Sequence, residues 1–196
     1  SSDIDFGEKW IGIKVSDNYF KEINPIFDRL KKIRSNSNKT KKWSEIGDYH
    51  SDVYKPILNS FLEELQKLNK KDPKVVARNL ISYLVGKKDF YKVIRSKNSI
   101  EIHAYNLNGT LNLPFKKVEP KYKTPKVSLP TKIVNISFKK NSNNTIIVEL
   151  DNDWTLSFRI HNASSRVEPS LKFDINLLKS PKNLFKNTLN IIHHKN

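Results

Sequence analysis

Within ten residues near the C-terminus the chain gathers Arg159, His161, Asn162, Ser164, Ser165, Arg166 and Glu168. Arginine and asparagine carry the forked donor and acceptor sets that match guanine and adenine edges in a DNA major groove, and glutamate can accept from the cytosine amino group. Two alternating runs frame these residues. One, 154–160, ends in them; the other leaves them through Leu171, Phe173, Ile175 and Leu177. A polar loop between two strands that carries this set predicts an element that reads the bases of nucleic acid. A plainer chemistry fits the same residues: Asn162 and the serines satisfy loop backbone groups, and Glu168 pairs with Arg166 or Arg159.

Hydrolytic chemistry is harder to find. Magnesium nucleases commonly combine an Asp with a strand bearing Asp or Glu, any residue, and Lys, so that carboxylates hold the metal and the lysine helps orient water. Two runs have the acid-x-Lys spacing, Asp72-Pro73-Lys74 and Glu119-Pro120-Lys121. Proline removes a ladder donor and does not belong inside a central strand, so both are rejected. His161, and His103 beside Glu101 and Asn106, are the histidines placed for acid–base work. A strand histidine out of phase with apolar neighbours reads better as a surface or hydrogen-bonding residue. His193-His194 is a weak metal signal, and the five glycines are scattered singly, which excludes a phosphate-cradling loop. No catalytic residue and no metal ligand is expected within this chain.

Charge points the same way as the polar loop. The net charge of +16 divides into +4 over residues 1–86, +10 over 87–140 and +2 over 141–196. An imbalance held mostly in the middle third calls for a polyanionic partner, although a lysine-rich solvated surface accounts for it too. Lys87, Lys88, Lys92, Lys116, Lys117, Lys121, Lys123 and Lys126 are candidate phosphate contacts. Lys172 alternates with Leu171 and Phe173 and so joins them. The absence of cysteine excludes disulfides and thiolate metal sites, and no apolar run approaches the length of a membrane span. A cytoplasmic protein is expected. Methionine is absent as well, so Ser1-Ser2 is expected to be an internal or processed terminus.

The elements that must position these residues follow from periodicity. Ser16 or Asp17 caps a helix with Tyr19, Phe20, Ile23, Ile26, Phe27, Leu30 and Ile33 on one face. A second begins near Tyr49 and uses Val53, Ile57, Phe61, Leu62, Leu65 and Leu68, with Pro56 tolerated near its first turn. Asp72-Pro73 starts a third, which Gly86 stops. From Phe90 the period falls to two. A hairpin turns at residues 96–98, an irregular basic excursion runs over 114–130, and a strand covers 133–138. A hairpin of 145–150 and 154–160 turns at Asp151-Asn152-Asp153, and 171–178 is the last strand. The fold class is α+β. A helical region of about three helices (1–88) is packed with a mainly antiparallel, basic β region (89–196) in one compact unit. Trp10, Trp43 and Trp154 read as core or interface residues rather than base-stacking platforms.

Three segments together resemble HaeIII-like type II restriction endonucleases: Ile4-Asp5-Phe6-Gly7-Glu8-Lys9-Trp10, Asp89-Phe90-Tyr91-Lys92-Val93, and the stretch 158–174. The similarity covers nearly the whole chain and matches the family's C-terminal portion. It implies an endonuclease that cuts double-stranded DNA at a short palindrome, GGCC in the family's namesake, with magnesium. In that family the acid–lysine motif lies N-terminal to the Ile-Asp-Phe-Gly segment. This chain is therefore expected to hold the DNA-recognition machinery, to bind no magnesium itself, and to need the catalytic region for cleavage. A palindromic target further implies a two-fold symmetric homodimer. Two other classes stay open. One is a noncatalytic RNA- or single-strand-binding module, disfavoured by a shortage of exposed aromatics beside the basic strands. The other is a metal-independent enzyme using His161 and Glu168.

Overall fold

Each helical segment buries one stripe of its surface, as its spacing requires. The computed structural model describes residues 2–3, 15–36, 41–116 and 119–191. Helix α1 (Asp17–Ser35) buries Tyr19, Ile23 and Leu30. Its cap, Ser16, turns away from the helix: its amide and hydroxyl both donate to the buried Glu64 carboxylate, at 2.7 and 2.6 Å. Two hydrogen bonds offset the cost of placing that carboxylate in the core. Helix α2 (Lys55–Lys71) follows a wide π-type turn over His50–Tyr54 and buries Ile57, Leu58, Phe61, Leu65 and Leu68. Helix α3 (Pro73–Val85) starts where Asp72 Oδ1 accepts the Val75 amide at 3.2 Å. It ends before Gly86, whose φ of +81° suits a residue without Cβ.

Among the described residues there are eight strands: β1 (Ser2–Asp3), β2 (Phe90–Arg95), β3 (Ser99–Tyr105), β4 (Ile133–Phe138), β5 (Thr145–Leu150), β6 (Thr155–Asn162), β7 (Leu171–Lys179) and β8 (Phe185–Asn190). They form two antiparallel sheets, ordered β1-β7-β6-β5-β4 and β2-β3-β8. The arrangement is α+β. Its β4 and β5 bounds are those the alternation predicts. Strand β6 runs two residues past Ile160, because His161 and Asn162 still pair with Lys172 and Leu171.

The chain divides into two compact units, Ser1–Leu84 with Pro130–Lys179, and Val85–Leu129 with Ser180–Asn196. This grouping cuts across the 1–88 and 89–196 partition and places the β strands in both units. In the first unit α2 lies on the five-stranded sheet, with the Phe61 ring 5.1 Å from Phe158 and 4.7 Å from Phe173. Trp154, Leu156, Phe158 and Ile160 are fully buried beneath it. The second unit is thinner. Strand β2 is an edge with both faces largely exposed, while β3 buries Ile102, Ala104 and Tyr105. The loop after β3 is tied by Asp89, which accepts from the Asn108 and Thr110 amides and the Thr110 hydroxyl. Partial burial pushes the Asp89 carboxyl up, but these bonds outweigh it and hold the group below its ordinary value.

Candidate nucleic-acid interface

The loop between β6 and β7 sits on the first unit, and its tip is not packed away. Ala163, Ser165, Arg166 and Ser170 are exposed. The backbone is nevertheless held. Val167 is fully buried and acts as a plug, and its amide donates to the Lys41 carbonyl at 2.9 Å. An antiparallel bridge joins Lys42 to Arg166, and the Trp43 amide donates to the Ser165 carbonyl at 3.3 Å. Trp43 is buried among the rings of Tyr49 and Tyr54, 5.4 and 6.1 Å away. It is therefore a core residue, as is Trp154, and Trp10 lies outside the described residues.

The polar side chains divide by role. Asn162 belongs to the frame: its Nδ2 donates to the Ser164 carbonyl at 2.5 Å, and its Oδ1 accepts from the Tyr54 hydroxyl at 3.4 Å. Burial, with the nearby Tyr49, pushes the Tyr54 hydroxyl well above its ordinary value, so it stays a donor. Ser164 Oγ accepts the Arg166 amide at 3.1 Å. Ser165 and Arg166 project from this frame. Arg159 is half exposed and pairs across the hairpin with Asp174, Nη2 to Oδ2, at 2.5 Å. That hydrogen bond, aided by the charges of His161 and Arg159, holds the Asp174 carboxyl below its ordinary value against the opposing effect of burial. His161 Nε2 also lies 3.2 Å from Asp174 Oδ1 but makes no hydrogen bond among the described residues. Its Nδ1 meets the Asn162 carbonyl at 3.1 Å. The Glu168 carboxylate approaches Arg34 at 3.8 Å and accepts from Ser170.

Asp174, Tyr54, Arg34 and the 41–43 segment thus support the candidate loop, and sequence reasoning misses them. Asp174 leaves a signal, since it and Arg159 both lie out of phase with the core on strands that flank one loop. The other partners come from over 100 residues away and leave none.

The candidate phosphate lysines fall in two places. Lys172 lies on β7 beside the loop, whereas Lys87, Lys88, Lys92, Lys116, Lys121, Lys123 and Lys126 belong to the second unit. Lys117 lies outside the described residues. Lys121 pairs with Glu119 at 3.1 Å, Lys123 donates to the Thr110 carbonyl at 2.6 Å, and the Lys116 ammonium lies over the Tyr122 ring, 6.0 Å from its centroid. Lys87, Lys88, Lys92, Lys116 and Lys126 are exposed. Beside them the second unit presents Phe115, 79% exposed, and Tyr91. These two correct the expectation that the basic strands lack exposed aromatics.

The acid–x–lysine runs do not form a magnesium site among the described residues. Asp72 caps α3, Glu119 is committed to Lys121, and among the described residues no group of three or more His, Asp or Glu could hold a metal ion. His103 is paired with Glu101 at 3.1 Å, and His193-His194 lies outside the described residues. No described helix is long and apolar enough to cross a membrane.

Comparison with known proteins agrees with the character of this surface. The family model for the HaeIII restriction endonuclease matches residues 1–181. The type II restriction enzyme HaeIII of Haemophilus aegyptius is 43% identical over 183 residues, covering 92% of this chain and 57% of that protein. The chain thus spans little more than half the length of this relative. No solved structure matches it.

Proposed function

The chain belongs to the HaeIII restriction endonuclease family, and from that premise we propose that it is the C-terminal, DNA-recognising portion of a type II restriction endonuclease. The parent enzyme cleaves double-stranded DNA at a short palindrome, GGCC by analogy with the family's namesake. Magnesium is its cofactor, held by an acid–lysine motif N-terminal to this chain. The partners are duplex DNA, that catalytic region, and a second copy related by the two-fold axis of the target. The compartment is the cytoplasm.

One observation carries this reading: the exposed tip at Ser165 and Arg166 stands on a clamped backbone, with Arg159 held beside it by Asp174. A clamped loop has less disorder to lose on binding than a free one. Arg159 and Arg166 suit guanine O6 and N7. His161 and Ser165 contact base edges or phosphates, Asn162 and Ser164 hold the loop that presents them, and Glu168 accepts from cytosine N4. Lys87, Lys88, Lys92, Lys116, Lys117, Lys121, Lys123, Lys126 and Lys172 serve the phosphates. A gel shift over a salt series is expected to favour a GGCC duplex over a scrambled one, with no cutting in magnesium. Equal affinity for both would refute base recognition; site-specific cleavage by this chain would refute the placement of the catalytic motif.

Phe115 and Tyr91 favour a second reading, a noncatalytic module for RNA or single strands that stacks bases on exposed rings. Tighter binding of single strands than of any duplex would select it.

A further inference from the structure

The β4–β5 connection and the β6–β7 loop leave the same end of the five-stranded sheet, since each joins an antiparallel pair running in the same sense. Register fixes their proximity: Thr145 pairs with Arg159, and the Ile160 amide donates to the Asn144 carbonyl at 2.9 Å. The π-type turn that precedes α2 touches both. Its Ser51 Oγ accepts from Asn143 Nδ2 at 3.4 Å, while its Tyr54 hydroxyl reaches Asn162. Between that turn and the β4–β5 connection lies a cleft of about 570 Å³, lined by Lys55, Phe138, Lys139, Lys140 and the polar residues 141–143.

No carboxylate lines this cleft, and none of its three lysines has an acidic partner among the described residues. The connection itself is ordered. Lys139 donates its amide to the Thr145 carbonyl at 2.9 Å, Ser142 donates to the Lys139 carbonyl at 3.0 Å, and Asn141 takes the left-handed conformation at φ +59°. Three lysines lining one cleft without a carboxylate give it a positive potential. An anion offsets that potential, and lysine holds phosphate as a point charge.

We propose that Lys55, Lys139 and Lys140 form a phosphate-binding cleft that takes the backbone of the DNA whose bases the β6–β7 loop reads. The proposal rests on the DNA-recognition reading of that loop. It places phosphate binding on the same unit as the base-reading residues, so one body fixes both the register and the sequence choice.

The test measures binding of the chain to GGCC and scrambled duplexes by fluorescence anisotropy across a potassium chloride series. The triple variant K55Q/K139Q/K140Q is compared with K67Q/K70Q/K71Q, which removes equal charge from the far end of α2. The first triple is expected to lower the slope of log affinity against log salt by about 0.9 for each phosphate it no longer neutralises, leaving the GGCC preference intact. The second is expected to retain the wild-type slope. Equal slopes for the two triples overturn the cleft, and so does a collapse of GGCC preference in the first. Failure of the wild-type chain to bind either duplex at low salt overturns the DNA reading itself. Thermal melting checks folding, and K139Q alone serves if the triple is unstable.

Discussion

The two units handle positive charge in opposite ways. The first carries 23 Lys and Arg against 17 Asp and Glu, and the second 13 against three. In the first, the arginines near the loop meet carboxylates: Arg159 meets Asp174, and Arg34 meets Glu168. In the second, the three acids are all spent locally, Asp89 on loop amides, Glu101 on His103 and Glu119 on Lys121. Most lysines there stand exposed. A cation held by a carboxylate has a fixed direction and can discriminate among acceptors, while a mobile lysine attracts any polyanion. On the proposed reading, base selectivity and the Lys55 cleft belong to the first unit, and the second adds a general affinity for polyanions.

The strongest challenge to this division is a core substitution in one unit. Phe158→Ala empties the space between α2 and the five-stranded sheet and should cost about 3–5 kcal/mol. Hydrogen exchange should then lose protection in β5 to β7 while β3 amides keep theirs; equal loss in both sheets would dissolve the distinction. Next in size, Arg159→Ala should reduce discrimination between GGCC and a substituted site by about 1–3 kcal/mol. Lys92→Gln in the second unit should instead weaken every duplex alike and lower the salt slope by about 0.9. If the two variants behave alike in a competition assay, the contrast fails.

The smallest effect is proton-linked. Because the Asp174 carboxyl is depressed below 3.8, the pair with Arg159 contributes in full above that value and is lost as pH falls through the lower folded one. The contribution is therefore constant around neutral pH. A side-chain NMR titration should show the Asp174 midpoint rising toward 3.8 in Arg159→Ala. An unchanged midpoint would remove Arg159 as the cause.

Local patterns carried most of the fold. Period-two alternation sufficed for β4 and β5, and Asp72-Pro73 for the start of α3. Pairing that depends on distant segments was hidden. Strand β8 reads Phe-Lys-Asn-Thr-Leu-Asn, too polar to stand out, and becomes a strand only because β3 lies beside it. The frame of the loop was hidden for the same reason, since Lys41, Lys42, Trp43 and Tyr54 are remote in sequence. The types of side chain at the loop were legible; their orientation, set by Asp174, was not. Arg159 and Glu168 looked like partners by proximity along the chain, yet the hairpin register gives Arg159 to Asp174 instead.

Strand β8 also sets an order of events during synthesis. The hairpin of β2 and β3 emerges from the ribosome some 80 residues before the strand that completes its sheet, and a two-stranded ribbon is marginal in water. The lysine-rich body must therefore wait, half made, until β8 has been synthesised, whereas the β6–β7 loop by then already has the strands of its own sheet.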